Sequence, residues 1–129
     1  MNPAFQKARF HANPPVEGIP ESFWIITACN PEGVEIPPAE NALRTEAFRV
    51  QLVEHGLRHF SVSGYDPDSP HREPGFGIVC EPATALAFGR QWEQVAIFRV
   101  GRGEVTLVSC GDPAEEWPVG SWIARADVV

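Results

Sequence analysis

The chain has 129 residues, a formal net charge of −7, 43% apolar residues, eleven glycines and thirteen prolines. That length suits one domain with its own core, and its share of proline and glycine stays below the level that marks disorder or a collagen-like rod. A single lysine, Lys7, and scattered arginines argue against a nucleic-acid backbone or an anionic membrane surface as partner, since both select clustered basic side chains.

Residues 1–22 read as an N-terminal arm, with a short helix over Pro3 to Phe10, an extended remainder and no signal-peptide core. Residues 23–129 read as a single α+β domain. The run Phe23-Trp-Ile-Ile-Thr-Ala-Cys29 is β-branched and aromatic with almost no polar break, the pattern of a strand buried on both faces. Asn30-Pro-Glu-Gly33 has the chemistry of a turn. Ala39 to His55 reads as a helix with a stripe of Leu43, Ala47, Val50 and Val53 or Glu54, widened by Phe48 and Leu52 and stopped by Gly56. Leu57 to Gly64 alternates like a half-exposed strand. A turn-rich loop from Tyr65 to Gly75 leads into a strand over Phe76 to Cys80. Glu81-Pro82 opens a second helix ending near Trp92, with Pro at an early position where its missing N–H costs little. Val95 to Val100 and Glu104 to Cys110 read as a hairpin around Gly101-Arg-Gly103, and Trp117 to Ala126 as a last edge strand.

The order is β-α-β-β-α-β-β. It predicts two layers: a mostly antiparallel sheet with two main helices on one face, in the ferredoxin-like β-α-β-β-α-β order with one or two extra C-terminal strands. Cys29, Cys80 and Cys110 are odd in number and form no C-x-x-C pair, which points to a reduced, cytoplasmic protein without a disulfide framework or zinc knuckle. No apolar run approaches a membrane span, and no metal or cofactor motif is present: His55, His59, His71, Asp66, Asp68 and Glu73 lack ligand spacing.

Several of these residues carry a resemblance. Phe23-Trp-Ile-Ile-Thr-Ala-Cys-Asn-Pro31 with its T-x-x-N-P core, Asn41 near a helix start, Glu73 before a strand, and Gln94-Val-Ala-Ile-Phe98 resemble domain-of-unknown-function family 3293. Where that pattern has a tryptophan shortly before the glutamate, this chain has His71-Arg72. The resemblance implies a small bacterial α+β domain and supplies no reaction.

The ferredoxin-like order delivers polar residues to one end of the sheet: Thr27 and Asn30 from the end of the first strand, Asn41 and Arg44 from the first helical turns, Glu73 from the start of the third strand, and Gln94 from the start of the fourth. Asn41 and Arg44, three apart, share a helix face. A helix N-terminus and a forked guanidinium suit an anion. These six residues predict a binding or regulatory module for a small polar or anionic ligand, or for a protein partner met through Trp117 and Trp122. The alternative enzyme would use Glu73 as general acid or base and Arg44 as anion clamp. A purely structural role is also open, with Thr27, Asn30 and Asn41 as caps and Arg44 paired to Glu73. Cys29, ending a buried strand, reads as apolar filler rather than as a nucleophile served by His71 or His59.

Overall fold

The computed structural model describes residues 3–129; residues 1 and 2, the start of the expected arm, lie outside the described residues. In chain order the elements are α1 (Pro3–Gln6), β1 (Arg9–Ala12), β2 (Ser22–Thr27), a 3₁₀ turn (Pro31–Gly33), α2 (Pro38–Glu54), β3 (His59–Tyr65), β4 (Arg72–Ile78), α3 (Pro82–Gln91), β5 (Ala96–Gly101), β6 (Glu104–Ser109), β7 (Glu116–Ser121), α4 (Trp122–Arg125) and β8 (Ala126–Val128). The strands form one sheet in the order β7-β6-β5-β2-β4-β3-β1-β8. Neighbours are antiparallel except β1 and β8, which run parallel. The protein is α+β with a mostly antiparallel sheet.

β2 lies inside the sheet, and its alternation explains why it has almost no polar break. Trp24 and Ile26 face a core shared with Phe48 and Leu52 of α2, Ala85 and Phe88 of α3, and Phe76 and Ile78 of β4. Phe23 and Ile25 face the opposite way, into a second core with Phe10, Phe60, Val62, Val100, Val105 and Trp122. Each such side chain contributes about 1.5–3 kcal/mol on burial. Both faces being covered is what a continuous apolar strand requires.

The second core exists because the sheet curls. β1 stands four places from β5, a gap of roughly 19 Å in a flat sheet at about 4.8 Å per strand. Yet the rings of Phe10 and Phe98 meet edge to face at 5.0 Å. Trp122, at the start of α4, closes the concave side by packing on Phe10 and Phe23.

Several expectations are corrected. The predicted helix over Pro3 to Phe10 ends at Gln6, and Arg9 to Ala12 form β1, paired with Val62 to Tyr65. β4 begins at Arg72, four residues before the expected start, so Glu73 lies inside a strand opposite Gly64. The stripe assigned to α2 is turned: Leu43 is 74% exposed, Val50 and Val53 are exposed, and Phe48 and Leu52 alone are fully buried. One residue is about 100° of helix rotation, and the two largest side chains decide which face fills the layer. The expected late-tryptophan surface does not form, because Trp122 is 8% exposed within the second core and Trp117 is half-buried on β7. The Gly101-Arg-Gly103 hairpin is as expected, with Arg102 and Gly103 both at positive φ, the backbone such tight turns demand.

Candidate functional site

At the end of β2 the chain leaves the sheet through Ala28 and Cys29, both buried, and turns at Asn30. Asn30 takes left-handed dihedrals (φ 50°, ψ 69°), which its short polar side chain tolerates better than most. Gly33 N donates to Asn30 O at 2.9 Å and closes the turn. Asn30 is 6% exposed and is the one buried polar residue among the described residues. Its backbone N–H donates to Asn41 Oδ1 at 2.9 Å, while Asn41 Nδ2 and Ile36 N donate to Asn30 Oδ1 at 2.8 and 3.2 Å. Backbone N–H groups only donate, so these contacts fix which end of each amide is oxygen. Asn30 Nδ2 is thereby turned toward Glu73 Oε1 at 2.9 Å and His71 Nε2 at 3.3 Å.

His71 Nε2 also lies 3.3 Å from Glu73 Oε1. A neutral imidazole nitrogen either accepts from Asn30 or donates to Glu73, never both. The cluster therefore has two proton arrangements within one set of heavy-atom positions.

The other predicted residues lie around this hub. Thr27 Oγ1 donates to Pro74 O at 2.7 Å and accepts from Cys29 N at 3.1 Å, tying β2 to β4. Gln94 Nε2 donates to Cys29 O and Trp92 O, both at 3.0 Å. Arg44 Nε and Nη2 donate to Ala28 O at 2.6 Å and Trp92 O at 2.8 Å, its Nη1 lies 3.5 Å from Glu93, and its guanidinium sits 5.4 Å from the Trp92 ring centre. The ion pair imagined between Arg44 and Glu73 is absent; Arg44 bridges the end of β2 to the end of α3.

The two cavities take five of the six residues; Arg44 lines neither. On the helix side a cleft of about 460 Å³ is lined by Asn30 and Asn41 with Ile36, Thr45, His71 and Arg72 among others. On the concave side Thr27, Glu73 and Gln94 line a cavity of about 60 Å³. The Asn30–Glu73 hydrogen bond joins the two across the rim. His71 and Arg72 belong to the site although the sequence reading left them out of it. The signal for Arg72 was present: carrying the alternation of β4 back from Phe76 puts Pro74 and Arg72 on the helix face.

The three thiols are free, Cys29 buried and Cys80 and Cys110 half-buried. Cys29 Sγ is buried beside Thr45 Oγ1 (3.7 Å) and Pro74 O (3.6 Å). Burial, then the neighbouring Glu81, pushes the Cys80 thiol up to about 11. Burial raises Cys110 as well, with Arg90 opposing it. Among the described residues no three His, Cys, Asp or Glu side chains cluster as metal ligands, and no helix is long and apolar enough to cross a membrane.

Comparison with curated proteins and with solved structures returns no match. The family described as "Protein of unknown function (DUF3293)" matches residues 26–97, more than half of the chain, from the last two residues of β2 onward and with the whole Asn30 network and Gln94 included, and the protein belongs to that family.

Proposed function

We propose that the protein is a binding module that holds a small polar or anionic ligand in the helix-side cleft. The observation that carries the reading is the buried, fully partnered Asn30 at the base of a cleft of about 460 Å³. That volume falls within the range of small-molecule sites, and the lining has their usual character, an apolar body with a few convergent polar groups. Ile36, Pro38, Ala42 and Pro74 supply the apolar part; Asn41, Thr45, His71 and Arg72 supply the polar part. Arg44, the cation expected to clamp an anion, is occupied by two carbonyls and Glu93. Arg72 takes that role here. Its guanidinium stacks 4.9 Å from the Tyr65 ring centre and has no ion-pair partner among the described residues.

The reading takes residues 23–129 as one domain to which the N-terminal arm, residues 1–22, lends the sheet strand β1, and treats β2, β3, β4 and β5 with α2 and α3 as a ferredoxin-like unit. Support for the latter is their order, β5-β2-β4-β3, with every neighbour antiparallel. The enzyme alternative has one observation behind it, the Glu73 carboxylate shared between Asn30 and His71. Its test is turnover that Glu73→Gln abolishes.

Thermal-shift titration of the full chain against acetate, succinate, inorganic phosphate and simple phosphate esters tests the module. The expected result is a saturable rise in Tm with at least one probe, lost in Arg72→Ala and kept in Arg58→Ala, which removes an arginine paired with Glu17, neither of them in the cleft lining. Wild type and Arg72→Ala behaving alike with every probe would overturn the reading.

A further inference from the structure

We infer that the concave face of the sheet carries a second site, which takes a small primary ammonium group between Glu73, Thr27 and Gln94. The cavity there, about 60 Å³, is walled by Phe5, Phe10 and Phe98 and floored by the strands. A single water needs about 10–15 Å³ of such space, so the volume holds a charged head with one or two carbons, and the rest of any longer stem stays outside it.

The donor and acceptor inventory selects the ligand. Thr27 spends its hydroxyl hydrogen on Pro74 O, so only acceptor capacity remains on its oxygen. Gln94 spends Nε2 on two carbonyls, which leaves Oε1 as the atom without a partner among the described residues. Glu73 has Oε1 held by Asn30 and His71, and Oε2 has no hydrogen bond among the described residues. Three polar groups thus meet one cavity, each with acceptor capacity left and one of them a carboxylate. An ammonium group offers three hydrogens and a positive charge, and aromatic faces stabilise such a cation. An anion or a neutral acceptor finds no donor from these three groups.

Gly64 is the second observation. It sits in β3 between Phe10 and Glu73 in register. A glycine inside a strand weakens it, and one with no backbone need for it marks close approach by something else. Gly75, also in the lining, has such a need, because a Cβ there would stand 2.7 Å from Ile26 O. At Gly64 a Cβ would meet nothing within 4 Å, and its φ is an ordinary one. Its effect is to keep the cavity open.

The test is amide NMR of the full chain, titrated with methylammonium chloride at constant ionic strength. Tetramethylammonium, which has no N–H, is the control, and Nα-acetyl-lysinamide presents the same head on a longer stem. Saturable shifts of the Gly64, Gly75 and Thr27 amides are expected with methylammonium. They should weaken at least tenfold in Glu73→Gln and vanish in Gly64→Val, whose side chain fills the space without disturbing the strand. Shifts with the lysine amide as well identify a lysine side chain as the natural source; shifts with methylammonium alone identify a free small amine. No saturable shift in wild type, equal shifts with tetramethylammonium, or undiminished shifts in a folded Gly64→Val would each overturn the site. Anion binding at the helix-side cleft should persist in Gly64→Val, so the two sites fail separately.

Discussion

Replacing Asn30 tests the hub of the rim, because this residue supports the turn through its backbone and both cavities through its side chain. Asn30→Ala leaves Ile36 N–H and the Asn41 amide without their acceptor, at about 1 kcal/mol each. The charge-assisted bond to Glu73 adds about 1.5 kcal/mol, the low end of its range, because water reaches a carboxylate that is 32% exposed. Left-handed dihedrals cost alanine about 1 kcal/mol more. The expected loss is about 4.5 kcal/mol by urea denaturation, a large part of the stability of a domain this size. Asn30→Gly should recover about 1 kcal/mol of it, because glycine takes the left-handed backbone freely.

Asn30→Asp is the sharper variant. It keeps the acceptor for Ile36 N and Asn41 Nδ2 and tolerates the backbone, but it sets a carboxylate where Nδ2 stood 2.9 Å from Glu73 Oε1. Two carboxylates that close share a proton, so the folded pair titrates above its unfolded value. Its stability therefore rises as pH falls through that raised value and drops again at neutral pH. Denaturation curves at pH 7 and pH 5 should show the gap to wild type narrowing at the lower pH. An Asn30→Ala loss under about 1 kcal/mol, or an Asp gap that ignores pH, would refute the hub.

Three other outcomes follow from the packing and the charges. Phe48→Ala should cost about 3–5 kcal/mol, since Phe48 packs on Phe76, Phe88 and Trp92, while Leu43→Ala stays within about 0.5 kcal/mol; equal losses would mean α2 is rotated from its described face. Cys80, with its thiol near 11, should be thiolate to roughly one part in ten thousand at pH 7, so its iodoacetamide rate should climb about tenfold per pH unit, and a flat rate would contradict its burial. The hydrogen bond from Arg99 holds the Glu116 carboxyl below its usual value, so its contribution is present above the unfolded value and lost as pH falls through the folded one; Glu116→Gln should cost at most about 1 kcal/mol at neutral pH for this exposed pair, with the difference closing in acid.

What the sequence showed well was what local chemistry decides. β2 was legible because four consecutive large residues, Phe23 to Ile26, leave no face for water. The Asn30 turn and the Gly101-Arg-Gly103 hairpin were legible because few residues suit those backbones. The meeting of Thr27, Asn30, Glu73 and Gln94 near one rim was readable only once a strand order had been assumed. Partner choice was not. Arg44 was expected to pair with Glu73, and it binds two carbonyls and Glu93 instead. The helix stripe was misread because Leu43, Ala47, Val50 and Val53 are as apolar in composition as the face that won. The curl of the sheet was illegible, because it depends on Phe10 and Trp122 meeting across strands far apart in the order.

That curl bears on how the two cavities relate. The family match spans residues 26–97, so every lining residue of the helix-side cleft lies within it. The floor and polar groups of the concave cavity, Thr27, Gly64, Glu73, Gly75 and Gln94, lie within it too, but its aromatic walls Phe5, Phe10 and Phe98 do not. The cleft is thus built by the matched stretch alone, and the concave cavity is walled in part by residues outside that stretch. Glu73 Oε1 is held from the cleft side by Asn30 while its Oε2 is left for the concave side, so one carboxylate serves both proposed sites. Occupancy of one is expected to alter the other through the charge of that carboxylate and the Asn30 amide that holds it. Asn30→Gly, which removes that amide and spares the turn, should weaken the coupling of the two titrations; coupling that survives it undiminished would have to travel through the carboxylate's charge or through Thr27 and Pro74 instead.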